Sequence, residues 1–149
     1  MNGGDSTLIG PQEGVLYIEA AGLADGNKSI ALSASNSAAN RVYINYSYTT
    51  DVILGRIQAS TSSTTMITGT AADYNSFNKV ALKYKSGDIA LWINGTEVGT
   101  STNVFAFNAP LDELAFDQGN GTMHWDGNVK QLAVFKEALS DTELAALTS

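Results

Sequence analysis

Cysteine is absent from this 149-residue chain, which rules out a disulfide framework and a thiolate metal site. The core alone must hold the fold. Charge is sparse as well: charged residues make up 15% of the sequence, and the net charge is −7. Phosphate binding needs clustered Lys and Arg, but Lys79, Lys83 and Lys85 are spread along one segment. A nucleic-acid partner is therefore not expected. No apolar run approaches the roughly 18 residues that cross a bilayer, so no membrane partner is expected either. Met1–Asp5 lacks the basic and apolar regions of a signal peptide. Pro-rich and charge-rich tracts are also missing, which argues against disorder.

Ser, Thr, Asn and Gly are abundant between short apolar runs, the composition of a sandwich with many tight turns. From Val15 to Ala21 apolar residues stand on both parities, as in a strand covered on both sides. Lys28–Ser33 follows, with Ile30 and Leu32 on one face. Val42, Ile44, Tyr46 and Tyr48 alternate with Tyr43, Asn45 and Ser47, the period of a half-buried strand. Asp51–Ala59 reads as another strand. The Thr- and Ser-rich stretch Ser60–Thr70 reads as a loop leading into a short strand around Met66 and Ile67.

The strongest local pattern runs from Lys79 to Thr100. Val80, Leu82 and Tyr84 alternate with polar or small residues, and Ser86-Gly87-Asp88 makes a turn. Ile89, Leu91 and Ile93 alternate again before Asn94-Gly95, a two-residue hairpin turn, so a three-stranded meander is predicted. Leu111–Asp117 predicts a further strand, Gln118–Thr122 a Gly-rich loop, and Asn128–Lys136 the last strand. Ser140 and Glu143 form an S-x-x-E capping box, with Leu139 and Leu144 placed for a hydrophobic staple. The expected fold is all-β: a two-sheet antiparallel β-sandwich (jelly roll) closed by one short C-terminal α-helix at about 141–147. Residues 1–13 read as an N-terminal segment and 14–149 as one domain.

Asn78–Tyr84 followed by Ile89-Ala90-Leu91-Trp92-Ile93-Asn94-Gly95 resembles the hairpin of concanavalin A-like, laminin G-like domains. Trp125-Asp126-Gly127-Asn128-Val129, then Leu132–Leu144, resembles that family's closing strand and capped helix. Leu8–Tyr17 is similar to the opening of versions found in bacteriophage tail and fibre proteins. The resemblance implies a concanavalin A-like sandwich that binds a polysaccharide or host-surface glycan without chemistry, located on the phage virion. Other virion proteins, or further copies of the chain, are the other partners it implies. A purely structural virion decoration or fibre domain, and a carbohydrate-binding module of a secreted, extracellular bacterial protein, stand as alternatives. Many relatives hold a structural Ca²⁺ with an Asp in the final strand; here Lys130 and Gln131 occupy that stretch. The E-x-D-x-x-E strand of glycoside hydrolases with this fold does not occur.

Catalysis finds no support in the residues. Hydrolysis of a glycoside needs two facing carboxylates, but Asp112 and Glu113 are adjacent and point to opposite sides. Glu113 and Asp117 share parity but enclose Ala115. His124, the single histidine, sits beside a Trp at a strand edge and reads as a surface residue. For binding, the nearest match to a sugar site, an aromatic face with amides and carboxylates, is the loop Asp117–Asp126, with Asn120, His124 and Trp125. The same loop also reads as a plain connection with Trp125 turned into the core. Trp92 is either a stacking platform or a residue beneath a neighbouring segment, and Tyr43 with Asn45 reads as an exposed pair on a sheet surface. No cofactor is required by this reading; oxygen ligands at Asp117 and Asn120 leave a Ca²⁺ site open.

Overall fold

The structure, a computed structural model, describes residues 2–3, 6–23, 26–35, 37–47, 52–60, 63–71 and 73–149. In chain order the strands are β1 (Asn2–Gly3), β2 (Glu13–Gly22), β3 (Lys28–Ser33), β4 (Asn40–Ser47), β5 (Val52–Ala59) and β6 (Ser63–Ala71). They continue with β7 (Asn78–Lys85), β8 (Ile89–Ile93), β9 (Thr96–Ser101), β10 (Glu113–Ala115) and β11 (Gly127–Phe135), and helix α1 (Asp141–Thr148) closes the chain. One sheet has the order β1-β10-β3-β4-β5-β6 and the other β11-β2-β7-β8-β9. Every pairing is antiparallel. The expected antiparallel sandwich with one short C-terminal helix is the observed fold.

Period-2 alternation assembles the core. Ile30, Leu32, Val42, Ile44, Ile53 and Ile57 point inward from one sheet, and Leu16, Ile18, Val80, Leu82, Ile89 and Leu91 from the other. Each such side chain contributes about 1.5–3 kcal/mol when fully removed from water. Two buried tyrosines bring their hydroxyls to backbone carbonyls: Tyr46 donates to Ala20 (3.1 Å) and Tyr84 to Gly10 (3.1 Å). The meander forms as β7, β8 and β9. Its Asn94-Gly95 turn has φ of 49° and 82°, the left-handed pair such a hairpin requires.

Three expectations change. The short strand expected around Met66 and Ile67 is a long one: β6 (Ser63–Ala71) runs for nine residues along β5 where a loop was expected for much of the stretch, because Thr, being β-branched, suits a strand once a partner edge is present. Strand β4 is not half-buried but buried on both faces through Tyr46, because a later loop lies over its outer side. The Leu111–Asp117 strand is shorter than expected, three residues in β10. Tyr48 lies outside the described residues.

Helix α1 covers the outer side of the five-stranded sheet. Ser140 caps it, with both arms of the capping box formed, and Leu144 packs on Val15, Tyr17, Ala81, Ala90 and Trp92. This explains why β2 is apolar on both parities. The Ser140 N–H and hydroxyl donate to the Glu143 carboxylate, each at 2.8 Å, and hold its pKa below the ordinary Glu value. Leu144→Ala should therefore lower the unfolding free energy by about 2–5 kcal/mol and Ser140→Ala by about 1 kcal/mol, both read by urea denaturation. Because the folded pKa of Glu143 is depressed, its contribution is complete above the unfolded value and is lost as pH falls through the folded one. The melting-temperature gap between the wild type and Glu143→Ala should accordingly narrow on acidification towards pH ~3.

Candidate functional site

Directly paired residues of antiparallel strands share a face, so the register maps the outer side of the six-stranded sheet. One row across it runs Glu113, Ser33, Arg41, Gln58. The next runs Ala115, Ala31, Tyr43, Arg56, Met66. A third holds Ser29, Asn45, Leu54 and Thr68. Both arginines of the chain thus fall on one face, in adjacent rows of adjacent strands.

Tyr43 joins them. The Arg41 guanidinium carbon lies 4.9 Å from the Tyr43 ring centroid and that of Arg56 lies 6.0 Å from it. Such contacts favour a cation over the π-face. Arg41 is only 7% exposed. Burial, above all, pulls its pKa below the usual arginine value; Tyr43 and Asp117 oppose that pull, while Arg56 reinforces it. The guanidinium remains charged at neutral pH.

The segment after β10 forms one wall of the site. Gln118 N–H donates to the Thr122 carbonyl (2.8 Å), Trp125 N–H to Phe116 (2.9 Å) and Ser29 N–H to Met123 (3.1 Å), so the loop is closed at its base and tied to β3. On the sheet side, Arg41 Nη1 donates to the Gln118 carbonyl (2.8 Å) and Gln118 Nε2 donates to the Tyr43 hydroxyl (2.9 Å). Gly119 lies so close that a Cβ there would meet Ser33 Cβ at 3.0 Å, Ala31 Cβ at 3.2 Å and Arg41 Cβ at 3.4 Å. Beyond this wall the face opens into a cavity of about 420 Å³ lined by Ser37, Ala38, Ala39, Arg41 and Gln58. Met66, 58% exposed, continues the Tyr43–Arg56 row away from the loop.

Tyr43 and Asn45 are corrected from exposed to buried, at 1% and 6% exposure, because this loop covers them. Asn45 Nδ2 donates to the Lys28 carbonyl and to Ser29 Oγ, so its amide is committed to the sheet. Trp92 lies beneath α1 rather than facing solvent. Trp125 is half-buried and packs edge-on against Tyr46, with ring centroids 5.1 Å apart. His124 and Asp126 are exposed. Asp117 is buried and accepts from Gly119 N–H (2.6 Å), while Asn120 accepts from Thr122 N–H and hydroxyl (3.2 and 2.7 Å).

The two oxygens that left calcium open are therefore engaged inside the loop. Among the described residues no group of three or more His, Asp or Glu is placed to hold a metal. This donor set does not fit a Ca²⁺ cage, which takes six to eight oxygens. The sequence reading missed Arg41, Arg56 and Gln58. Their signal was present: Arg41, Tyr43 and Asn45 share parity on one strand, and Arg56 and Gln58 share it on the next.

Comparison with known proteins places this geometry in a family. Residues 17–145 match the laminin G-like family model described as the concanavalin A-like lectin/glucanases superfamily. The chain belongs to that superfamily. Among solved structures it is similar to the CBM40 of the Ruminococcus gnavus IT-sialidase, bound to α2,3-sialyllactose. The TM-score is 0.77 at 17% identity, covering 97% of this chain and 86% of that one. It is also similar to the heptameric SAP-like pentraxin of Limulus polyphemus, with a TM-score of 0.71, 15% identity and coverage of 95% and 72%. The binding domain of botulinum neurotoxin DC matches with a TM-score of 0.64 at 13% identity, covering 92% of this chain and 35% of that one. At these identities the likeness is one of fold. No curated protein sequence matches the chain.

The 117–123 loop closes against the sheet at Gly119. Gly119 has a φ of +77°, a region that costs an L-residue about 1–2 kcal/mol. Gly87, with φ +82° and nothing near its missing Cβ, supplies the control. Gly119→Ala should destabilise the protein more than Gly87→Ala in thermal unfolding. It should also speed hydrogen exchange across the 117–123 loop; equal effects of the two substitutions would show that the loop does not press on the sheet.

Proposed function

We propose that this protein is a non-enzymatic carbohydrate-binding module whose site is the outer face of the six-stranded sheet, between the 117–123 loop and residues 37–39. The observation that carries this reading is the open cavity bordered by Arg41 and Gln58, with the Tyr43–Arg56–Met66 row beside it. Sugars present hydroxyls that need oriented donors and acceptors, and C–H faces that need an apolar surface. The two guanidiniums supply the first, and Met66 the second; the Gln58 amide already donates to the Ser60 carbonyl (2.8 Å). A sandwich holds these groups on rigid strands, which suits recognition without motion.

The fold relatives support the reading, since the Ruminococcus gnavus module is bound to sialyllactose and a botulinum neurotoxin type C domain interacts with gangliosides. Binding rather than catalysis fits two of the three acids near the face, which have structural tasks: Asp112 accepts from Ser35 N–H and hydroxyl (2.7 and 3.0 Å), and Asp117 holds Gly119. The opening segment Leu8–Tyr17 supports a phage particle as the setting and a host-surface glycan as the target. Calcium is not required in this scheme.

A glycan array probed with the wild type and with Met66→Asp tests the assignment. Binding that survives chelation by EDTA and drops at least tenfold in Met66→Asp, with an unchanged melting temperature, is the expected result. Equal binding by both proteins would move the site elsewhere, and an array with no bound glycan would defeat the reading.

A further inference from the structure

Six buried side-chain polar atoms among the described residues lack a hydrogen-bond partner, and four of them lie on the outer face of the six-stranded sheet: Ser33 Oγ, Glu113 Oε1, Arg41 Nε and Arg56 Nε. Ser33 lies on the loop-covered side, under Gly119. Both guanidinium carbons lie near the Tyr43 ring, at 4.9 and 6.0 Å from its centroid, and Arg41 borders the cavity. We propose that the Arg41–Arg56 pair seats an anion, so that the glycan bound at this face carries a carboxylate or sulfate group. The proposal rests on the glycan-binding reading and narrows it.

Structural roles account for only part of each arginine. Its Nη1 holds the Gln118 carbonyl and so positions the loop, but that bond leaves the Nε edge unused. Arg56 makes no hydrogen bond among the described residues; its contact is with the Tyr43 ring. All the ion pairs among the described residues belong to lysines: Lys83 with Asp88 and Asp141, Lys85 with Glu13, and Lys130 with Glu19. In an acidic chain of net charge −7, the two arginines are thus gathered at one ring with no carboxylate of the described residues at ion-pair distance, Asp117 acting on Arg41 only from farther off.

That arrangement is costly unless something completes it. Two like charges brought near one another repel, and a buried donor without an acceptor costs about 1–3 kcal/mol, more when it is charged. One anion between the guanidiniums would relieve both penalties. Arginine is also the informative residue type. Its planar fork presents parallel N–H groups that match the paired oxygens of a carboxylate or a sulfate, whereas a lysine offers a point charge. The ring carbons of such a sugar would fall to Met66, beside Arg56 in its row. The negative net charge makes attraction of a polyanion a local property of this face rather than of the whole surface.

The test uses the whole ¹⁵N-labelled protein, in which two arginines give two Nε–H signals. Oligogalacturonate, dextran sulfate and unsubstituted dextran are titrated in parallel, which separates carboxylate from sulfate and both from neutral sugar. The expected result is that at least one charged saccharide binds tenfold or more tightly than dextran and shifts both Nε–H signals. Arg56→Met should lose at least tenfold in affinity for that saccharide, and Arg56→Lys should not restore it. The signal shifts are read on the wild type, so they stand even where Arg41→Met fails to fold. Dextran binding as tightly as the charged saccharides, or undiminished binding by Arg56→Met, would overturn the anion and leave the glycan reading standing. Failure of all three saccharides to bind would remove both.

Discussion

Pairing of β4 with β5 is the contact on which the rest of the molecule depends, because it serves both sides of the sheet at once. Inward, it stacks Val42 on Ile57 and Ile44 on Gly55, opposite the side chains of β2 and β7. Outward, the same register sets Arg41 beside Gln58 and Tyr43 beside Arg56. A slip by one residue would exchange the two faces, sending the arginines into the core and the aliphatic residues to the surface. The core therefore fixes the geometry of the site, and the site needs no framework of its own.

The two outer faces of the sandwich are finished differently. On the five-stranded sheet, α1 lays Leu144 over Trp92 and Tyr17, and the result is a second small apolar core. On the six-stranded sheet, the 117–123 loop covers β3 and part of β4 and stops there. Its contacts with the sheet are polar, from Arg41 and Tyr43 to Gln118. This face is polar, partly covered and open at a cavity, whereas the other is closed by the helix. The division leaves Trp92, with its large aromatic surface, packed under α1, and Tyr43 beneath two cations.

Fold likeness at under a fifth sequence identity means that what is shared is the sandwich, and a site has to be argued from this chain's own residues. Asp117 and Asn120 act here as turn-forming acceptors for Gly119 and Thr122, which shape the loop.

The amino-acid sequence by itself determined the sandwich, the β7–β9 meander and the capped helix. Those depend on short-range alternation, on Asn94-Gly95 and on the Ser140–Glu143 spacing, all of which act between residues close in the chain. It also suggested, through Tyr43 and Asn45, that the outer side of β4 was of interest. Whether that side was open was a different kind of question. Residues 117–123 cover β4 from more than 70 positions away, and no local pattern encodes where a loop comes to rest. The same holds for β6, whose threonines became a strand only because the edge of β5 was there to pair with. Tertiary structure alone decided that two arginines 15 residues apart would meet over one phenol ring, since that meeting is a product of register between strands.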